Sequence, residues 1–326
     1  MVLSRMLTAF ALGATGLLLS FDAFAVTLTN CGEPQTFTAV PERIVVYGNP
    51  SLENLLALGV RDKIVGVVGY DPLSDPTGFA ARHALSLPVV AGKGPISAEA
   101  LLMLRPDLVY SSSWYWLWSP EGATRDQITS WGIASWLSPG ACGGQQSAAK
   151  EKISFAALFR ELGDLAQMLH LQGRGETLVN QQEKRLAALR QRAARLAPSR
   201  LLWWYSGTDS PYVAGCCGVP EMLSKESGNH NLFSDISALW PNVAWEEIAR
   251  REPDILVLAD LPRGGAGDSA KDKIAFLEHF PLTSGLRAVK EKKFIILPGY
   301  DMDPSVRSVD ALDRLITSLS AKENHD

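Results

Sequence analysis

The sequence is poor in the residues that carry chemistry on their own. Its five histidines, His83, His170, His230, His279 and His325, are scattered along the chain. That spacing excludes the clustered imidazoles of a bare-metal receptor, so no protein-bound metal is expected. Neither an H-E-x-x-H nor a G-x-S-x-G motif is present, which leaves zinc-protease and hydrolase chemistry without an anchor. The four cysteines include no C-x-x-C pair, the usual redox signature. Basic charge is also scarce. With 31 Lys and Arg against 35 Asp and Glu, the net charge is -4, and no basic stripe exists to hold nucleic acid. Beyond the N-terminus no apolar run is long enough to span a bilayer.

What is present begins with an export signal. Arg5 supplies a positive start, Leu7 to Phe21 is apolar or small, and Ala23-Phe24-Ala25 fits a cleavage site. A signal peptide is therefore expected over residues 1–25, with a mature chain beginning near Val26 in the periplasm. Leu28-Thr29-Asn30-Cys31 is a poor lipoprotein signal, which favours a free protein over a lipid-anchored one. The remaining chain, about three hundred residues, is long enough for two lobes. In an oxidising compartment Cys31, Cys142, Cys216 and Cys217 read as disulfides. Two connectivities stay open: an adjacent Cys216–Cys217 pair with Cys31–Cys142, or each neighbour joined to a distant partner. Gly215 and Gly218 flank the adjacent pair and favour the first.

One pattern is written twice. Ser97-Ala98-Glu99 opens a short helix that ends at Arg105-Pro106-Asp107 and runs into Leu108-Val109-Tyr110. Ala244-Trp245-Glu246 opens another that ends at Glu252-Pro253-Asp254 and runs into Ile255-Leu256-Val257. A distant repeat of one helix–strand unit implies two similar lobes with a cleft between them, and a cleft binds something. Strand and helix alternate elsewhere too. Short apolar runs at 43–47, 63–68, 108–111, 133–137, 200–205, 254–259 and 294–297 read as buried strands. Helices are expected at 51–58, with Ser51 as its N-cap, and at 220–227, 271–279 and 308–320. From about Phe155 to Leu196 the chain is helical in character, and Pro198 ends a stretch long enough to bridge two lobes. The fold class is α/β with mainly parallel sheets covered by helices on both faces.

Together, Pro41-Glu42-Arg43-Ile44-Val45, Ser51 to Gly59, Ile96-Ser97-Ala98-Glu99 before Leu104-Arg105-Pro106-Asp107, and Trp240-Pro241 before Trp245-Glu246 carry a family resemblance. The chain resembles the class III periplasmic substrate-binding proteins of ABC importers, which bind ferric siderophores, cobalamin and haem. A subgroup with Asn30-Cys31-Gly32, Ala214-Gly215-Cys216-Cys217-Gly218 and Asp303-Pro304-Ser305-Val306-Arg307 looks closest; its members are thought of as binders of iron siderophores or cofactor precursors. The resemblance implies two lobes, 26–172 and 199–326, each with a mostly parallel central sheet flanked by helices, joined by one long helix over 173–198. It also implies that Glu99 and Glu246 dock onto arginines of an ABC permease, which its ATPase drives. Exposed carboxylates near helix N-termini suit that task.

In such a fold, loops leaving the C-terminal ends of the strands line the cleft. Here those loops are aromatic: Tyr47, Tyr70, Trp114, Tyr115, Trp116 and Trp118 on one side, Tyr205, Tyr212 and Trp240 on the other. Flat rings suit a chelate, corrin or porphyrin. Trp203, inside a strand, reads as core. Lys93, Arg263 and Arg307 are the charged candidates for an anionic ligand group. The expectation is a periplasmic receptor for a bulky chelate, with a ferric siderophore leading. Cobalamin, haem or a deazaflavin precursor are the alternatives, with iron entering only inside its chelator and no cofactor. Two rivals remain: a thiol oxidoreductase using Cys216-Cys217, and an accessory protein that helps strip iron from a siderophore without delivering it to a permease. A second periplasmic binding protein is a further candidate partner.

Overall fold

A computed structural model of the protein describes residues 25–72, 75–117, 121–142 and 153–323. The expected signal peptide, apart from Ala25, and Trp118 lie outside the described residues.

The chain opens with an antiparallel hairpin, β1 (Val26–Asn30) and β2 (Glu33–Phe37), which the sequence reading did not foresee. Five parallel strands follow: β3 (Ile44–Tyr47), β4 (Ile64–Val68), β5 (Val89–Ala91), β6 (Leu108–Ser111) and β7 (Ala134–Leu137). They form one sheet in the order β5-β4-β3-β6-β7. Helices α1 (Asn49–Ala57), α2 (Phe79–Arg82), α3 (Ala98–Met103) and α4 (Arg125–Ser130) connect them. Both faces of the sheet are covered, so β3 has no polar face. Ile44 and Val46 enter one core, and Val45 and Tyr47 the other. Helix α1 begins at Asn49 with Gly48 at the cap position, so Ser51 is not its N-cap. Pro50 suits the first turn because it has no N–H to leave unpaired. The Ser51 hydroxyl ends up buried without a partner.

Helices α5 (Phe155–Met168) and α6 (Gln172–Ala193) join the halves. Both cross. Phe155, Leu158, Phe159 and Leu162 of α5 pack in the C-terminal core, whereas Leu165, Ala166 and Met168 pack in the N-terminal one. Helix α6, about 33 Å long at 1.5 Å per residue, runs back the other way. Near its start Arg174 donates to the Leu58 carbonyl, and further along Arg185 pairs with Asp310. The long bridging helix is therefore one arm of an antiparallel pair.

The C-terminal lobe holds β8 (Arg200–Ser206), β9 (Tyr212–Val213), α7 (Val219–Glu226), β10 (His230–Asn231), α8 (Trp245–Arg251), β11 (Ile255–Asp260), α9 (Ala270–His279), α10 (Pro281–Ser284), α11 (Arg287–Lys290), β12 (Phe294–Pro298) and α12 (Ser308–Glu323). Its sheet runs β10-β8-β11-β12 in parallel, with β9 antiparallel to β8. Along β8 the side chains alternate: Leu201 and Trp203 enter one core, Leu202 and Trp204 the other. Trp203 is fully buried, and its indole N–H donates to the Ser224 hydroxyl at 2.8 Å.

The repeated Pro-Asp has a structural job in both lobes. Asp107 accepts the backbone N–H groups of Glu42 and Arg43, and Asp254 accepts that of Arg200. The carboxylate thus ties the start of one strand to the start of its neighbour. The residue before each proline, Arg105 or Glu252, is left-handed at φ 46° or 48° and ends its helix.

Candidate functional site

A cleft of about 300 Å³ lies between the lobes. Its walls come from the C-terminal ends of the strands: Gly48 and Asn49 after β3, Gly69 after β4, Ser112, Ser113, Trp114 and Trp116 after β6, and Tyr300, Met302, Asp303 and Pro304 after β12. The C-terminal lobe adds Leu239, Trp240 and the start of α7. A larger cavity, about 600 Å³, lies beside it, and Gly140, Ile153 and Pro304 line both. That larger space is walled by the β1–β2 hairpin and α5 and lacks facing aromatic walls. The smaller cleft is the better site because both lobes and the strand ends converge on it.

Of the aromatic candidates, Trp114, Trp116 and Trp240 line the cleft. Trp116 is held by glycine. At Gly69 (φ 74°) a methyl group would run into the indole, and at Gly48 (φ 82°) it would come within 3.3 Å of the indole nitrogen. Only residues without a side chain let the ring lie there. Tyr47 does not reach the cleft. It is buried beneath Trp116, ring centroids 6.1 Å apart, and burial raises its phenol pKa. Tyr115 is exposed and packs edge-on to Trp114 and Trp116 without lining the cleft. Tyr205 backs the far wall, with its ring 4.7 Å from that of Trp240. Tyr212 is exposed on β9, and Lys93 sits on an exposed turn. Neither lines the cleft.

The two arginine candidates are spent within the protein. Arg307 is buried, not presented to a ligand. It chelates Asp75 at 2.6 and 3.0 Å and donates to Glu53 at 2.8 Å. Burial opposes its charge, but these carboxylates hold its pKa above the ordinary value. Glu53 and Asp75 belong to the N-terminal lobe and Arg307 directly precedes α12, so the cluster clasps the two lobes beneath the cleft. Tyr70 is buried beside the cluster, not in the cleft. Burial, then Asp75 and Glu53, push its phenol up to about 12. Arg263 is held by Asp268 at 2.8 Å, with its guanidinium 5.4 Å from the Tyr205 ring centre.

The model for periplasmic binding proteins matches residues 44–300. The chain belongs to the periplasmic binding protein family. Family members bind their substrates and do not transform them, so the oxidoreductase alternative falls. The chain is similar to a "Vitamin B12-binding protein" of Pectobacterium atrosepticum, 24% identical over 240 residues, covering 73% of this chain and 77% of that one. It is similar in structure to a periplasmic binding protein of Veillonella parvula, with a TM-score of 0.76 and 23% identity over 91% of this chain and 98% of the other. An Fe3+-hydroxamate transport system protein of Saccharomonospora viridis gives a TM-score of 0.74 and 24% identity, covering 90% and 99%. At these identities the structural likeness establishes the two-lobed fold.

Within this periplasmic binding protein, Glu99 and Glu246 occupy equivalent first turns, of α3 and α8, and both are exposed. Its own backbone N–H and the Ser97 hydroxyl hold Glu99 below the usual carboxylate range. Glu247 is engaged by Arg250 and Arg251, which leaves Glu246 as the carboxylate of that turn without an ion pair among the described residues. The disulfides are Cys31–Cys142 and Cys216–Cys217. The adjacent pair precedes α7, whose first residues border the cleft. Sequence reasoning missed Asn49, Tyr300 and Asp303. The strand-end rule points to the loop after β12, but in sequence its arginine, Arg307, is the conspicuous charged group.

Proposed function

We propose that the protein is a periplasmic receptor that captures a bulky metal chelate between its lobes and hands it to an inner-membrane ABC permease. A ferric siderophore is the leading ligand. The observation that carries this reading is the pair of facing aromatic walls, Trp114 and Trp116 on the N-terminal lobe and Trp240 on the C-terminal lobe. Indole faces stack on flat or rounded apolar surfaces over a large area. A space of about 300 Å³ takes one face of such a chelate and leaves the rest in the mouth of the cleft. Paired helices α5 and α6 make a stiff connection, so closure on the ligand is small. Glu99 and Glu246 would mark the two ends of the permease footprint. Similarity to a vitamin B12-binding protein favours cobalamin as the second ligand.

The test is tryptophan fluorescence of the mature protein, titrated with ferric and iron-free siderophores, cyanocobalamin and haem. Saturable one-to-one quenching at submicromolar concentration by a ferric siderophore is expected. Equal response to the iron-free form, or none to any chelate, would overturn the reading.

A further inference from the structure

The polar part of the cleft is one-sided. No Lys, Arg or His lines it among the described residues, and Asp303 is its single carboxyl group. Asp303 makes no hydrogen bond through its side chain and no ion pair among the described residues. The nearby guanidinium groups are already engaged: Arg307 by Asp75 and Glu53, Arg314 by Asp301, and Arg263 by Asp268. A second acceptor accompanies it. Asn49 lines the cleft, is 2% exposed, and its Oδ1 is buried without a donor. A buried acceptor left unpaired costs about 1–3 kcal/mol, a cost that a ligand donor would remove.

We propose that Asp303 and Asn49 form the polar half of the ligand site and select a neutral or cationic chelate that presents N–H donors, against one that presents carboxylate or catecholate charge. This rests on the receptor reading above and narrows it. Hydroxamate chelates carrying an amine, and corrinoids edged with carboxamides, have the required donors; haem and triscatecholates bring negative charge to a carboxylate. The N-termini of α1 and α7 also border the cleft. Each carries about half a positive charge, spread over backbone N–H groups, and each gives up one of them, at Pro50 or Pro220. Asp303, once ionised, concentrates a whole charge on two oxygens.

The selection depends on pH. Burial raises Asp303 to about 7, with Asp301 adding to the rise and Arg307 and Arg263 opposing it. Tyr205 and Tyr300 stand in the same electrostatic neighbourhood. Asp303 therefore ionises as pH climbs from 6 to 8, and affinity for a cationic chelate climbs with it.

The experiment uses the mature protein and four probes: a ferric trihydroxamate with a free terminal amine, the same chelate with that amine succinylated, cyanocobalamin, and a ferric triscatecholate. Affinities are measured at pH 6 and pH 8 for the native protein and for Asp303→Asn, which keeps the side chain's shape. At pH 8 the amine form is expected to bind about tenfold tighter than the succinylated form. The gap should shrink at pH 6 and in Asp303→Asn, because the amine form weakens in the variant while the succinylated form does not. Tightest binding by the succinylated chelate or the triscatecholate would overturn the charge selection while leaving the receptor intact. So would a variant with unchanged affinities. Failure of all four probes to bind would overturn both readings. The pH comparison on the native protein stands even if the variant folds poorly.

Discussion

Arg307 of the C-terminal lobe grips Asp75 of the N-terminal lobe through both guanidinium ends, at 2.6 and 3.0 Å, with each side chain 1% exposed. Glu53 shares the same guanidinium, and Asn54, next to it on α1, accepts the Val306 N–H at 2.8 Å. The two lobes are thus joined by a dry polar clasp beneath the cleft as well as by α5 and α6. A buried pair contributes little over an apolar substitute, but breaking one side strands the other charge.

Arg307→Ala should therefore lower unfolding free energy by about 3–5 kcal/mol. Chemical denaturation of the variant measures this. A loss below about 1 kcal/mol would mean that water reaches Glu53 and Asp75 and that the clasp is not dry.

Trp116 lies where only glycine neighbours permit. Gly69→Ala should displace the indole, shift tryptophan emission and weaken ligand binding, and a methyl group at φ 74° adds backbone strain of about 1 kcal/mol or more. Trp116→Ala and Trp240→Ala should each cost about 2 kcal/mol of binding, as anchor residues do, with little change in melting temperature. Unaltered affinity in both would remove the aromatic walls from the site.

Glu161 of α5 is buried and accepts from the Tyr110 and Ser138 hydroxyls, yet burial raises its pKa to about 7. The unfolded carboxyl titrates near 4.3. The folded state therefore holds its proton longer, and this contribution is complete below about pH 4 and lost as pH rises through about 7. Its size is on the order of 3 kcal/mol. Asp303 shifts in the same direction. Melting temperature should fall between pH 5 and pH 8, and Glu161→Gln, which mimics the neutral acid, should flatten that fall. A melting temperature that rises across the same interval would contradict the buried-acid account.

The Cys31–Cys142 bridge joins positions 111 apart in sequence, tying the β1–β2 hairpin to the end of β7. Replacing both cysteines by serine should reduce stability by about 3–5 kcal/mol. At least that loss should appear when the native protein is reduced, since reductant also opens Cys216–Cys217, and thermal melts with and without reductant would read it.

Glu99→Ala with Glu246→Ala should leave ligand affinity unchanged, since neither residue lines the cleft. It should abolish stimulation of the permease ATPase in reconstituted vesicles. Full stimulation by the double variant would move the docking surface elsewhere.

Much of this architecture was legible from local pattern. Apolar runs such as Ile44–Tyr47 and Ile255–Leu258 are buried on both faces, and that alone identifies central parallel strands. The duplicated Pro-Asp announced two lobes because each copy solves the same local problem, ending a helix and pairing a strand start. The β1–β2 hairpin was not legible: Val26 to Phe37 is half polar, and its pairing depends on packing against the rest of the lobe.

The sequence by itself determined the α/β class, the duplication, the cleft at the strand ends and the aromatic stock of its loops, because these follow from hydrophobic period and chain direction. Only the tertiary structure decided which groups line the cleft. Arg307 reads in sequence as a free guanidinium on a loop, but its partners Glu53 and Asp75 stand more than two hundred residues away. Asp303 reads as the lesser neighbour, yet it is the carboxyl group left in the cleft. Charge pairing is a through-space property: a guanidinium is available to a ligand only if the fold has brought no carboxylate to it first.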